Sequence, residues 1–241
     1  MASALARGWG DPVLCTDAVP GKAEALVEEL GGEVAASNSA LVRAADVVFL
    51  CHKPDQLEAV AAQVDGNEEG TVVVSILAGV PLDALRSAYP DAARVVRLMP
   101  NVAVEIGRGV ICLADKSDAS EQVRALLKRI ATVVAVPERL IDVATAVMGV
   151  GPAYVSLFVE AQVDAAVRLG MPPRMAVELA TATTEGSAAL LAARDFDTLA
   201  LRRSVTSPGG VTARGLAALE DGGLRAAFQA AADAAVHGGR R

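Results

Sequence analysis

Aromatic side chains are scarce in this 241-residue chain: one Trp, two Tyr and four Phe. Hydrophobic residues still make up 53% of it, so a core has to be assembled from Ala, Val and Leu. Cysteine is as sparse. Cys15, Cys51 and Cys112 are odd in number, far apart and each set in an apolar run. That excludes a disulfide scaffold or a zinc cluster and reads as reduced core thiols in a cytoplasmic protein. Of the two histidines, His52 has no second His, Cys or carboxylate at ligand spacing and His237 lies near the tail, so no metal site is expected. No apolar run approaches the roughly 18–20 residues of a membrane span, and no basic segment precedes an apolar one as in a signal peptide. An excess of positive charge is also lacking. A net charge of -7 argues against a nucleic-acid surface, which needs clustered Lys and Arg, and Arg240 and Arg241 read as a frayed tail.

What is present is alternation. Up to about residue 140, short β-branched runs (Val13–Thr16, Val47–Cys51, Thr71–Ile76, Arg94–Leu98, Val110–Leu113) are separated by helix candidates at 22–30, 39–45, 55–63 and 119–131. Continuous rather than alternating apolar runs are what strands covered on both faces look like. The order predicts an α/β fold, a Rossmann-like doubly wound parallel sheet. At the front, Ala2, Ala4, Leu5 and Ala6 favour a helix that Gly8 and Gly10 stop. From Gly151-Pro152 onward no strand candidate remains. Long Ala-rich helices, broken at "GMPPR" and "SPGG", form an all-α C-terminal part too apolar around its girth to stand alone, so an obligate subunit interface is expected. The domain boundary is placed at 143/144.

A doubly wound sheet puts its ligand beyond the carboxyl ends of its strands. Those ends read Thr16-Asp17, Cys51-His52-Lys53-Pro54, Leu77-Ala78-Gly79 and Met99-Pro100-Asn101. Asp17 stands where a dinucleotide fold holds ribose hydroxyls, although a turn-forming Asp fits there as well. Ala78-Gly79 would admit a flat ring, or be a plain turn. Lys53 could hold a phosphate or nothing. The sharpest stretch is Val205-Thr206-Ser207-Pro208-Gly209-Gly210-Val211-Thr212. Two glycines between hydroxyls at a helix entrance expose N–H groups to one point and suit a carboxylate or phosphate. A capped helix start accounts for Thr212 but not for the glycine pair.

Together these stretches resemble the pyrroline-5-carboxylate reductase family over essentially the whole chain. The resemblance rests on "CHKP", "SILAG", "RLMPNVA", the segment from Glu138 to Pro172, and "VTSPGGVTARGLAALEDGGLRAA". It implies reduction of 1-pyrroline-5-carboxylate to L-proline by NADPH or NADH. It also implies a small cyclic-imine substrate, and a homodimer or a ring of dimers built on residues 144–241. It places the cofactor along Asn38, Cys51, Lys53, Pro54, Ala78, Gly79 and Asn101, in addition to Asp17, read from its strand end. The substrate falls to Glu138, Ser207, Gly209, Gly210 and Thr212, with Thr212 the proton donor or relay, although a structural role for Glu138 at the domain junction fits equally well. Met1 matches the methionine inside the family's phosphate-binding turn, so the first strand and glycine-rich turn are expected to be missing from residues 1–143. Met148 and Val150 replace two family hydroxyls, and Val102-Ala103 replaces Thr-Pro. These departures keep open a related reductase of another cyclic imine, or a non-catalytic oligomeric relic unable to hold cofactor.

Overall fold

The computed structural model describes residues 1–64 and 69–237, and Arg240 and Arg241 lie outside the described residues. Helix α1 (Ala2–Trp9) opens the chain and stops where expected: Gly10 is left-handed (φ 66°) and its N–H donates to Ala6 O at 2.9 Å. Gly8 serves a different purpose. A Cβ there would lie 2.1 Å from the Val104 carbonyl oxygen, so only glycine lets α1 approach that turn. Strand β1 (Val13–Cys15), α2 (Lys22–Leu30), β2 (Gly32–Val34), α3 (Asn38–Arg43) and β3 (Val47–Leu50) follow. Then come α4 (Leu57–Ala61), β4 (Val72–Ser75), α5 (Leu82–Ala88), β5 (Arg94–Pro100), β6 (Gly109–Ala114), α6 (Glu121–Lys128) and β7 (Ala131–Val136).

The sheet differs from expectation in two respects. Among the described residues β1 pairs with β2 alone, and β3 to β7 form a separate five-stranded sheet in chain order. All pairings are parallel except β5–β6, which is antiparallel. The link between these two strands is one short 3₁₀ turn at Val102–Ile106 with its flanks. A parallel crossover needs about a dozen residues or more, so the chain can only turn back.

Burial on both faces explains the continuous β-branched runs. In β4, Val73 joins a cluster with Leu50, Leu82, Leu85 and Ile141, while the next residue, Val74, joins Leu5, Val96, Ile111 and Leu127 on the other face. Trp9 closes the second cluster: its Nε1–H donates to Leu126 O at 3.0 Å and its ring lies 5.0 Å from that of Phe49. Helix α7 (Ile141–Ala144) and a π turn at Thr145–Gly149 complete this unit, Met1–Pro152. Ala146 is buried and Met148 packs on the core, so the chain stays with this unit past residue 144.

The second unit, Ala153–Arg241, continues α8 (Gly151–Arg168) into α9 (Pro173–Ala192), α10 (Thr198–Ser204), α11 (Val211–Asp221) and α12 (Leu224–His237). Among its described residues only Ala176 and Ala180 are buried, and Leu157, Phe158, Met175, Leu179 and Phe228 are exposed. Tyr154 meets Phe228 edge-on at 6.3 Å, joining α8 to α12. The helical stretch Glu138–Arg168 is long and apolar enough to cross a membrane by length and composition, and 11% of its most apolar window is buried. This corrects the run-length reading: Val143–Val159 carries no charged residue, and its Gly, Pro, Ser and Thr interrupt the run without making it hydrophilic.

Candidate active site

At the carboxyl ends of β1 and β3 lies a cavity of about 520 Å³. It is lined by Met1, Ala2 and Ser3 at the start of α1, by Cys15, Thr16 and Asp17, and by Lys22 and Cys51. The N-cap, Met1, makes no side-chain capping bond, so the first N–H groups of α1 and the positive end of its dipole are offered to this cavity. Asp17 is exposed, and its Oδ1 accepts the Val19 N–H at 2.8 Å, which fixes the carboxylate in an Asx turn at the rim. The thiols are neutral. Burial pushes Cys51 up to about 11, and burial followed by the charges of Glu24 and Asp17 raises Cys15. A helix N-terminus for phosphate and a strand-end carboxylate for ribose, sharing one cavity, fit a dinucleotide.

The turn after β4 is held separately. Ser75 Oγ accepts the Leu77 N–H at 3.2 Å, and Gly79 is left-handed at φ 72°. Ala78 and Gly79 are exposed. Gly79 lines a second cavity, about 540 Å³, with Pro81, Arg97, Lys116 and Glu138 among its walls. Glu138 is engaged within the protein: its Oε1 accepts the Leu82 N–H at 2.7 Å and Arg97 Nη1 at 3.1 Å. Burial alone would raise this carboxyl, but those two hydrogen bonds and the charges of Arg97 and Lys116 hold it below the usual glutamate range.

Asn101 is buried at the end of β5. Its Nδ2 donates to Met148 O at 3.1 Å and its Oδ1 accepts the Val110 N–H at 3.1 Å. The side chain thus ties the end of β5 to the π turn. Asn38 donates from Nδ2 to Gln63 Oε1 at 2.7 Å, and Lys53 is exposed at the start of the 3₁₀ turn Pro54–Gln56. None of these three positions lines the dinucleotide cavity, whereas Asp17 and Cys51 do.

In the helical unit, "SPGG" forms the entrance to α11. Gly209 is left-handed at φ 67°, and Gly210 is the N-cap without any side-chain capping bond. The Gly210 N–H donates to Ser207 O at 3.0 Å, so it closes the turn and is not presented to a ligand. The N–H groups left for an anion at the helix start are those of Val211, Thr212 and Ala213, with the Thr212 side chain exposed. The sequence reading missed Val211 and Ala213 because it began the helix at Thr212. It also missed Arg97, whose signal was a charge between Val96 and Leu98 in the interior of the strand "RVVRLMP".

Two sheets of parallel-dominant strands and a cavity with a helix N-terminus and a strand-end carboxylate are the features of a dinucleotide-binding fold. In agreement, residues 1–79 match the family described as NADP oxidoreductase coenzyme F420-dependent, and residues 138–241 match pyrroline-5-carboxylate reductase dimerisation. A pyrroline-5-carboxylate reductase from a Synechocystis strain is 37% identical over 206 residues, 84% of this chain and 77% of the relative. The crystal structure of 1-pyrroline-5-carboxylate reductase from Streptococcus pyogenes superposes with a TM-score of 0.85 at 28% identity, covering 98% of this chain and 93% of that one. The Plasmodium falciparum pyrroline carboxylate reductase, solved with NADP bound, gives 0.83 at 25% identity, covering 97% and 91%. The chain belongs to the pyrroline-5-carboxylate reductase family.

Proposed function

We propose that the chain reduces 1-pyrroline-5-carboxylate to L-proline with NADPH or NADH. Family membership carries the reading, and the two separate anion-receptive features, one in each unit, agree with it. The start of α1, Asp17, Lys22 and Cys51 would hold the dinucleotide, with Ala78 and Gly79 leaving room for its ring. When bound, the reduced nicotinamide supplies a hydride. The chain's own residues hold and orient. In this reading the N–H groups of Val211, Thr212 and Ala213, with the Ser207 and Thr212 hydroxyls, take the substrate carboxylate. Thr212 gives or relays a proton to the ring nitrogen. A cyclic imine is already electrophilic and easily protonated, so the protein need supply no strong acid, and positioning makes the largest contribution.

The helical unit pairs with a second copy, as a dimer or a ring of dimers. Apolar side chains such as Leu157, at 64% exposure, need a cover. Lipid is the poorer cover for the Glu138–Arg168 stretch, because its first turns include Ile141 and Ala146, already buried in the core.

The test is direct: supply the purified chain with 1-pyrroline-5-carboxylate and NADH or NADPH, and follow proline formation and dinucleotide oxidation. Turnover of other cyclic imines in preference would reassign the substrate. Binding of neither cofactor would overturn the enzymatic reading.

A further inference from the structure

We propose that Glu138 is a positioning residue that sets the turn facing the nicotinamide, and not a substrate ligand; this rests on the oxidoreductase reading above. Helix α5 begins at Leu82 behind Pro81, which has no polar side chain and makes no capping bond, so its first N–H groups have no local acceptor. Glu138, 56 residues further on, provides one, accepting the Leu82 N–H at 2.7 Å.

The same oxygen binds Arg97, a side chain only 6% exposed on β5, next to β4 through the register pair Ser75–Arg97. Arg97 Nη2 lies 3.8 Å from Asp142, while Nε is buried without a hydrogen-bond partner among the described residues. The guanidinium therefore depends on carboxylates from the Glu138–Asp142 segment. The Glu138 N–H in turn donates to Asp115 Oδ1 at 3.2 Å, which anchors this segment to the end of β6.

Between these fixed points lies the turn Leu77–Pro81. Ser75 Oγ holds it at one end and Glu138, through Leu82, at the other. Ala78 and Gly79 sit in the middle. A carboxylate with this duty, kept ionised by its partners, is also a poor neighbour for an anionic substrate.

The test compares Glu138→Ala with Glu138→Gln in the full chain. Glutamine keeps an acceptor for the Leu82 N–H and loses the charge toward Arg97. Glu138→Ala is expected to weaken NADPH or NADH binding, titrated without substrate, by about ten- to a hundredfold. Glu138→Gln should fall between it and the parent, and KM for 1-pyrroline-5-carboxylate should not move in either. Should Glu138→Ala fail to fold, Arg97→Met with Glu138→Met replaces the ion pair of buried Arg97 and half-buried Glu138 by apolar side chains and restores stability, yet leaves α5 uncapped and cofactor binding weak. A raised substrate KM with unchanged cofactor binding would overturn the proposal in favour of a substrate ligand. A lowered melting temperature with both affinities unchanged would overturn it in favour of a purely structural pair. Because cofactor binding is read without substrate, failure of the substrate assignment would show separately, as a parent chain that binds dinucleotide and makes no proline.

Discussion

The side-chain amide of Asn101 bridges the Met148 carbonyl and the Val110 N–H, each at 3.1 Å, and so ties the π turn at Thr145–Gly149 to the end of β5. Asn101→Ala would leave a buried donor and a carbonyl unpaired, a cost of about 1–3 kcal/mol for each group left without a partner. Urea unfolding should show a lower midpoint. Asn101→Asp should be worse at neutral pH, since it sets a carboxylate against the Met148 carbonyl. Weakened cofactor binding at an unchanged midpoint would return Asn101 to the nicotinamide.

Thr212 is the second residue of α11 and does not cap it, so Thr212→Val should spare the helix. If the hydroxyl meets the substrate, kcat/KM falls by roughly ten- to a hundredfold, the worth of a charge-assisted hydrogen bond, with cofactor affinity unchanged. Intact turnover with a lower Tm would assign the hydroxyl to stability alone.

Asp17 lines the rim of the cavity proposed for the dinucleotide, where its carboxylate would repel a phosphate on the adenosine ribose. Asp17→Ser should shift the ratio of kcat/KM for NADPH over NADH upward by about tenfold, or ~1.4 kcal/mol. An unchanged ratio would mean that the ribose is held elsewhere.

Sedimentation should find the chain at least dimeric at micromolar concentration. Leu157→Glu, placing a charge on an exposed apolar face of α8, should release a smaller species. A stable monomer before any substitution would remove the subunit interface from the reading.

The parts legible in the sequence were those whose cause is local. Helix α2 runs from Lys22 to Leu30 as its periodicity indicates, and the strands β3 to β6 lie on β-branched runs. Strand β2 was not legible: it has three residues, and its first, Gly32, has φ 111°. Helix α5 carried no start signal because its cap, Glu138, comes from another part of the chain. The antiparallel turn between β5 and β6 is set by the length of the connection, not by either strand's composition. The site divides in the same way. Asp17 and Cys51 line one cavity because both stand at strand ends, a placement readable from the sequence, whereas the hydrogen bonds that engage Asn101 and Gly210 within the fold join distant or turn-specific groups and were not.

Trp9 is the only tryptophan in the chain, and it is wedged against Phe49 and the Leu126 carbonyl at one end of a helix whose other end lines the dinucleotide cavity. Eight residues of helix span about 12 Å. The molecule therefore carries a built-in optical probe: intrinsic emission from a single indole should be quenched by energy transfer when a reduced dinucleotide binds. Any undocking of α1 should appear as a red shift of the same band, without a label.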